Sequence, residues 1–471
     1  MKLEQFAGNS RDLPVTHLGQ TMFNIRGLKE GVRVQGEQKL PAAGSVSVID
    51  GPGEPNIARI TDHGYRNQNL IVEREIPGSV VHDEDFDLRM SLGSQAFKAP
   101  SKNLRFPQIR NDHAYQPWNH RLVKIPVHAG GGYNCSMKGQ RILVTGGAGF
   151  LGSHFVRLAL ESGAANVINV DALTYAGDVR RLLDLESDSR YKFIKADVTS
   201  QADISRIVGE NRPDAIVHYA AESHVTRSEN QPDLFHHTNT EGTRVMLEAA
   251  GAEGVKRFVH ISTDEVYGSI LDGSFREEDK LPGLGAATSP YAQSKALADT
   301  LALSFADRLE VVVARPTNAF GPWQFPEKAF PRWATRALIG DTVPVWGDGL
   351  YVRQWLFAGD FARAIALLLS SGLSGEAYNV GPRHDPEIPN IELARWLVNH
   401  YGLPLDRIEM TAYDRPDHDR RYSVDSSKIE SLGWSAGEVF DQFALSADWY
   451  RDNRDWWESH LAVAEAPYVQ T

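Results

Sequence analysis

The chain has 471 residues with 42% hydrophobic and 23% charged side chains, a balance that fits a globular protein with room for two or three folding units. A net charge of -12 excludes the broad basic surface of a nucleic-acid-binding protein, and the acidity lies downstream, since residues 1–137 carry 16 Lys and Arg against 14 Asp and Glu. The longest apolar stretches, such as 365–369, are far too short to span a membrane, the N-terminus MKLEQFAGNS lacks a secretory apolar segment, and a single cysteine, Cys135, forms neither an internal disulfide nor a thiolate metal cage, so a cytoplasmic protein with no metal site is expected.

In chain order, residues 1–136 read as an irregular or β-leaning extension. Short β-leaning runs at 44–50, 69–76 and 121–128 alternate with Pro, Gly and Asn, and the segment closes on a flexible run, Ala129 to Gly132. Its apolar runs are short for an independent core, which points to a docked, partly ordered appendage. From residue 141 the pattern changes. Apolar strands are predicted at 141–145, 167–171, 193–196, 215–219, 258–262 and 311–315, with amphipathic helices at 150–162, 240–252 and 290–308. Continuously apolar strands alternating with helices specify a parallel sheet covered on both faces, hence an α/β, doubly wound, Rossmann-like domain over 137–316. Beyond Pro316 the chain becomes irregular and rich in Pro, Trp and Gly, as expected of a smaller substrate-binding lobe over 317–471.

Directly after the first predicted strand stand Gly146, Gly149 and Gly152, a G-x-x-G-x-x-G turn that runs through Phe150 and Leu151 into a helix. Such a turn lets backbone approach a pyrophosphate at the helix N-terminus. Asp171 ends the second predicted strand, where a carboxylate accepts from a ribose 2′-hydroxyl and disfavours a 2′-phosphate, so NAD is expected over NADP. Downstream, Ser262-Thr263-Asp264-Glu265 ends a strand, and Tyr291 and Lys295, four apart, share one helix face. Singly, the Tyr–Lys pair fits a solvated helix face and the Asp-Glu pair fits a loop. Their order after a dinucleotide turn instead points to oxidation, which needs a base, coupled to dehydration, which needs an acid and a second base.

These motifs resemble the extended short-chain dehydrogenase/reductase superfamily. Within it the chain is similar to the dTDP-glucose 4,6-dehydratases over residues 137–471, at TGGAGFLGSH (145–154), DALTYAGD (171–178), AAESHVTRS (220–228), STDEVYG (262–268), SPYAQSKA (289–296), FPEK (325–328), GDGLYVRQWLF (347–357) and RPDHDRRY (415–422). The chain departs from that pattern at Thr226, Ala319, Phe320, Tyr351 and Gln354. The resemblance implies a tightly held, recycled NAD bordered by Gly146, Gly149, Phe150, Leu151, Gly152, Asp171, Ala172, Leu173, Thr174, Asp197, Val198, Ala220, Ala221, Ser223, His224, Thr238, Tyr291 and Lys295. It implies a nucleotide-sugar substrate held by His224, Thr263, Asn318, Glu327, Lys328, Arg353, Arg415 and His418. It further implies a homodimer. The implied chemistry has Tyr291, its phenolate favoured by Lys295 and the nicotinamide charge, take the sugar 4-hydroxyl proton, Glu265 take the C5 proton, Thr263 stabilise the C4 oxygen, and a protonated Asp264 expel the C6 hydroxyl. The alternative is a sibling activity, a UDP-sugar dehydratase or a 4-epimerase.

Overall fold

The computed structural model describes residues 136–282, 289–412 and 419–468, together with seven β-strands between Asp12 and Arg89. The chain divides into two units, Met1–Asn111 and Asp112–Thr471. In the first, the strands Asp12–His17, Thr21–Arg26, Gly44–Ile49, Ile57–Asp62 and Tyr65–Ile71 form one sheet in that order. The second and third pair in parallel and the other neighbours antiparallel. Two predicted β-leaning runs overlap strands of this sheet, whereas the run at 121–128 and the glycine linker lie outside the described residues.

The second unit is built on seven strands. They are β1 (Arg141–Thr145), β2 (Asn166–Asp171), β3 (Tyr191–Lys195), β4 (Ala215–His218), β5 (Arg257–Ile261), β6 (Glu310–Pro316) and β7 (Glu376–Val380). Their order is β3-β2-β1-β4-β5-β6-β7, and every neighbouring pair is parallel. The order reverses at β1, so β1 and β4 diverge into their loops at the same sheet edge, where doubly wound sheets bind ligands.

Side-chain alternation explains why the sheet is covered twice. Ile142 and Val144 of β1, with Val217, Val259 and Val312, face helices α1 (Phe150–Glu161) and α6 (Ala358–Ser371), burying Phe155, Leu158, Phe361 and Ile365. Leu143, with Ile168, Ile216, Phe258 and Val311, faces α2 (Gln201–Asn211) and α3 (Gly242–Ala252), burying Ile204, Ile207, Val245 and Met246. One strand thus feeds two cores at a period of two. A turn of π-helix, His236–Glu241, leads into α3. Helix α4 (Pro290–Ser304) is capped by Ser289, whose side chain accepts from Ala292 N, and it ends four residues before the predicted position, where the Phe305 N–H turns back to carbonyls of the last turn.

Beyond Pro316 the chain does not stay in a separate lobe: α6 and β7 return to the sheet, β7 as its last strand. The remainder includes helix α5 (Ala329–Leu338), the helices Asn390–His400 and Val439–Asp452, and small two-stranded sheets, among them Val343–Trp346 with Ile408–Thr411 and Val352–Arg353 with Ile388–Pro389. Gln354, one of the departures from the family pattern, pairs its amide with both the N–H and the carbonyl of Val424.

A buried ion pair ties α4 to β6. Arg315 reaches Asp299 through Nε at 2.8 Å and Nη2 at 3.0 Å, with side chains 3% and 0% exposed. Losing one partner strands a charge in a dry core. Asp299→Ala is therefore expected to lower unfolding stability by about 3–5 kcal/mol in denaturant titrations followed by tryptophan fluorescence, and Asp299→Leu combined with Arg315→Met to recover part of that loss. A single replacement without effect contradicts this role.

Candidate active site

The cofactor side begins where β1 runs out. Gly146 adopts φ +68°, and a Cβ there would sit 2.7 Å from Ala220 N; a Cβ on Gly152 would sit 2.3 Å from the Gly146 carbonyl oxygen. Backbone alone fits this corner, so β1, the β4 exit loop and α1 close to within van der Waals contact of one another. Gly149 caps α1, no side chain bonds the helix end, and its first turn holds no acidic residue. The N-terminal amides of α1 thus border the cavity with only their own dipole to complement, the physical requirement for an anion such as a pyrophosphate. Asp171, 8% exposed, accepts from Ala148 N at 3.0 Å and Leu173 N at 2.8 Å. Burial raises its pKa, while those amides and Arg181 act against the rise.

A cavity of about 540 Å³ runs from this corner to the far lobe. Gly146, Gly149, Phe150, Leu151, Gly152, Asp171, Ala172, Thr174, Asp197, Val198, Ala220, Ala221, Ser223, His224 and Thr238 line its dinucleotide side, and Asn318, Glu327, Lys328 and Arg353 line the opposite lobe. Thr263, Asp264, Glu265, Tyr291 and Lys295 lie in the same wall. Leu173 does not line the cavity. It adopts a left-handed φ of 56° and spends its N–H on Asp171. Arg415 and His418 lie outside the described residues.

The end of β5 places the acids. Thr263 caps a short 3-10 turn, Asp264–Tyr267, accepting from Glu265 N at 3.3 Å, and its hydroxyl meets Asp264 Oδ1 at 3.3 Å and neighbours the Tyr291 hydroxyl. Asp264 is 3% exposed, and its Oδ2 is buried with no hydrogen-bond partner among the described residues. Desolvation and, second, the Glu265 charge push its pKa up to about 8, against a smaller pull from Arg353. The carboxyl therefore keeps its proton at neutral pH. Arg353 itself donates to the carbonyls of Val352 at 2.7 Å and Asp419 at 2.8 Å and lies over the Tyr422 ring.

Tyr291 and Lys295 are both buried on α4. Lys295 Nζ donates to the Ile261 carbonyl at 2.6 Å, and burial depresses its pKa to about 8. Burial, then Glu265, raises the Tyr291 pKa, and the Thr263 hydroxyl opposes this. Lys295 was expected to favour the phenolate together with the nicotinamide charge; its Nζ donates to the β5 backbone, and the side chains that act on the phenol's pKa are Glu265, Thr263 and Asp264.

In the far lobe Glu327 is 3% exposed, with its pKa raised by burial; it accepts from Tyr175 at 2.9 Å and lies 3.5 Å from Arg227. Lys328 donates to the Ser223 carbonyl at 2.7 Å. Asn318 Oδ1 is buried with no hydrogen-bond partner among the described residues, so the wall keeps an acceptor open toward a ligand. Sequence reasoning missed Glu222, Arg181, Trp346 and Tyr468, all of which line the cavity. Glu222 lies within the 220–228 motif, between expected site residues, whereas Arg181, Trp346 and Tyr468 come from segments distant in the chain and carry no motif of their own.

The model of the NAD dependent epimerase/dehydratase family matches residues 142–381. A dTDP-glucose 4,6-dehydratase of Streptomyces niveus is 45% identical over 336 residues, covering 69% of this chain and 97% of that protein. Another from an Actinoplanes species is 44% identical, with coverage of 68% and 100%. Among solved structures, the dTDP-glucose 4,6-dehydratase DesIV of Streptomyces venezuelae, crystallised with NAD, is 43% identical with a TM-score of 0.65, covering 68% of this chain and 99% of that one. A UDP-glucose 4-epimerase of Thermus thermophilus in complex with NAD is 30% identical, with a TM-score of 0.59 and coverage of 66% and 99%.

The raised pKa of Asp264 has a defined effect on stability. The folded value lies above the unfolded one, so the contribution is intact below about pH 4 and is lost as the pH rises toward the folded value of about 8. Asp264→Asn, which cannot ionise, is expected to be the more stable protein at pH 8. Its margin in thermal midpoint over wild type should widen from pH 4 to pH 8 and then level off. A margin that does not vary with pH contradicts the assignment.

Proposed function

The chain belongs to the NAD dependent epimerase/dehydratase family, on its dTDP-glucose 4,6-dehydratase branch, and we propose that it converts dTDP-glucose to the 4-keto-6-deoxy sugar and water with NAD as a retained cofactor. Gly146, Gly149, Phe150, Leu151 and Gly152 receive the pyrophosphate, Asp171 a ribose hydroxyl, and Asp197 and Val198 the adenine. Ala172, Thr174, Ala220, Ala221, Ser223, His224 and Thr238 complete the groove. Bound there, NAD supplies the hydride acceptor and donor and the positive charge that the Tyr291 phenolate requires.

The other steps belong to the chain's own groups. Tyr291 takes the proton of the sugar 4-hydroxyl as C4 is oxidised. The resulting ketone acidifies C5, whose proton Glu265 removes, while the Thr263 hydroxyl donates to the C4 oxygen as negative charge grows there. Asp264 delivers its proton to the C6 hydroxyl, which departs as water. Reduction at C6 and reprotonation at C5 finish the product. Asn318, Glu327, Lys328, Arg353 and His224 hold the nucleotide diphosphate and sugar, a role the family resemblance extends to Arg415 and His418. The same resemblance supports a homodimer, and the lone cysteine fits a cytoplasmic setting.

One observation carries this reading: Asp264, buried and with its pKa pushed up by desolvation and the Glu265 charge, stands beside Glu265 in the wall that also holds Thr263 and Tyr291. Epimerisation at C4 needs one base and no acid for a leaving hydroxyl, so the paired carboxyls favour dehydration. Incubation with dTDP-glucose in deuterated water should yield a 4-keto-6-deoxy product, seen by its base-labile absorbance, with deuterium at C5 by NMR. UDP-glucose should react far more slowly. Glu265→Gln should lose both product and C5 deuterium by at least about a hundredfold. C4 inversion without deuterium at C5 contradicts the proposal, and elimination surviving intact in Glu265→Gln removes the role given to that residue.

A further inference from the structure

The end of the chain reaches back into the cavity. The helix Leu461–Glu465 and the turn Ala466–Tyr468 are held at three points. Glu465 accepts from Arg332 of α5 through two bonds of 2.9 Å, and from Arg336 at 3.3 Å. The Val463 carbonyl accepts from Arg227 Nη2 at 2.9 Å. The Arg332 guanidinium lies 3.9 Å from the centre of the Tyr468 ring, so one arginine grips both the acid and the aromatic of the segment. The same ring is 5.9 Å from that of Trp346 and 5.8 Å from that of His224.

The Tyr468 hydroxyl joins the two sides of the cavity. His224 Nδ1 accepts from Arg227 N at 3.3 Å at the start of the helix Val225–Asn230, which leaves the ring proton on Nε2. That Nε2–H meets the Tyr468 oxygen at 3.0 Å, and the Tyr468 hydroxyl in turn donates to the Glu327 carbonyl at 2.8 Å. The donor sense is consistent along the chain from Arg227 through His224 and Tyr468 to Glu327. His224 borders the dinucleotide side and Glu327 the far lobe, so a residue close to the C-terminus sets the separation and the ring orientation across the binding site.

We propose that Tyr468 is a positioning residue for the sugar nucleotide: through its hydroxyl it fixes His224 and the Glu327 loop, and the segment Leu461–Tyr468, latched by Arg332 and Arg227, forms a wall of the substrate pocket. The inference rests on the dehydratase reading for the identity of the ligand. Tyr468→Phe keeps the ring against Arg332 and Trp346 and removes one oxygen, leaving His224 Nε2–H and the Glu327 carbonyl without that partner.

The full-length protein is titrated calorimetrically with dTDP, and initial rates are measured with dTDP-glucose. In Tyr468→Phe the Kd for dTDP and the KM for dTDP-glucose should each rise about tenfold, as expected for loss of one bridging hydrogen bond, with kcat within about twofold. Unchanged Kd and KM, or a fall in kcat at constant KM, overturns the proposal. A second measurement needs no variant: dTDP should slow amide hydrogen exchange across 461–468 in the wild type, and unchanged exchange with dTDP bound overturns the proposal as well. A wild type that binds no dTDP overturns the dehydratase reading itself, whereas normal wild-type binding with an unaffected Tyr468→Phe overturns only the role of Tyr468.

Discussion

A carboxyl group set in a dry wall next to a second carboxylate keeps its proton, and the rest of this site is arranged around that fact. Asp264 has little exposure, an Oδ2 with no hydrogen-bond partner among the described residues, and Glu265 as its chain neighbour. Two adjacent acids on one short turn cannot both ionise cheaply when one is desolvated, so their environments divide the labour between acid and base. The division is set by backbone. The Thr263 cap forms the turn at the end of β5, burying Asp264 and leaving Glu265 more exposed toward the cavity. The same threonine neighbours the Tyr291 hydroxyl, so the groups proposed to act at C4, C5 and C6 of the sugar hang from one strand end and one helix.

The cofactor corner depends on a different constraint, close backbone packing. Gly146 and Gly152 are glycines because the β4 exit loop and the turn itself occupy the space of a side chain. That packing brings the N-terminus of α1 to the cavity and puts Asp171 against the amides of Ala148 and Leu173. Tyr291 is the link between the two halves of the site. Burial and the Glu265 charge hold its phenol pKa above the ordinary value, and Lys295 on the same helix donates to the Ile261 carbonyl.

Much of this was legible in the amino-acid sequence because it is carried by local signals. Continuously apolar runs marked the central strands, glycine spacing marked the turn into α1, and a four-residue interval put Tyr291 and Lys295 on one face of α4. Other features depend on distant chain segments meeting. Strand β7 reads Glu-Ala-Tyr-Asn-Val; its buried Asn379 accepts from Tyr267 and donates to carbonyls of Phe275 and Asp425, so polarity that argues against a buried strand is satisfied by tertiary contacts. Arg181 is fully buried yet held by the carbonyls of Ala148, Ala176 and Trp323, a pattern with no local signature. Tyr468 acquires its place through Arg332, His224, Glu327 and Trp346, all far from it in the chain. Leu173 was expected at the cofactor from motif position alone; it adopts a left-handed φ of 56° and is not among the residues that line the cavity.

The claim on which the account turns is the protonation state of one side chain, and infrared spectroscopy reads it directly. At pH 7 the wild-type protein should show the carbonyl stretch of a buried protonated carboxylic acid, which disappears as the pH is raised through about 8 and is missing in Asp264→Asn. A spectrum at pH 7 with carboxylate bands alone, unchanged by Asp264→Asn in the carboxylic-acid region, would mean that Asp264 is ionised and has no proton to give a departing hydroxyl.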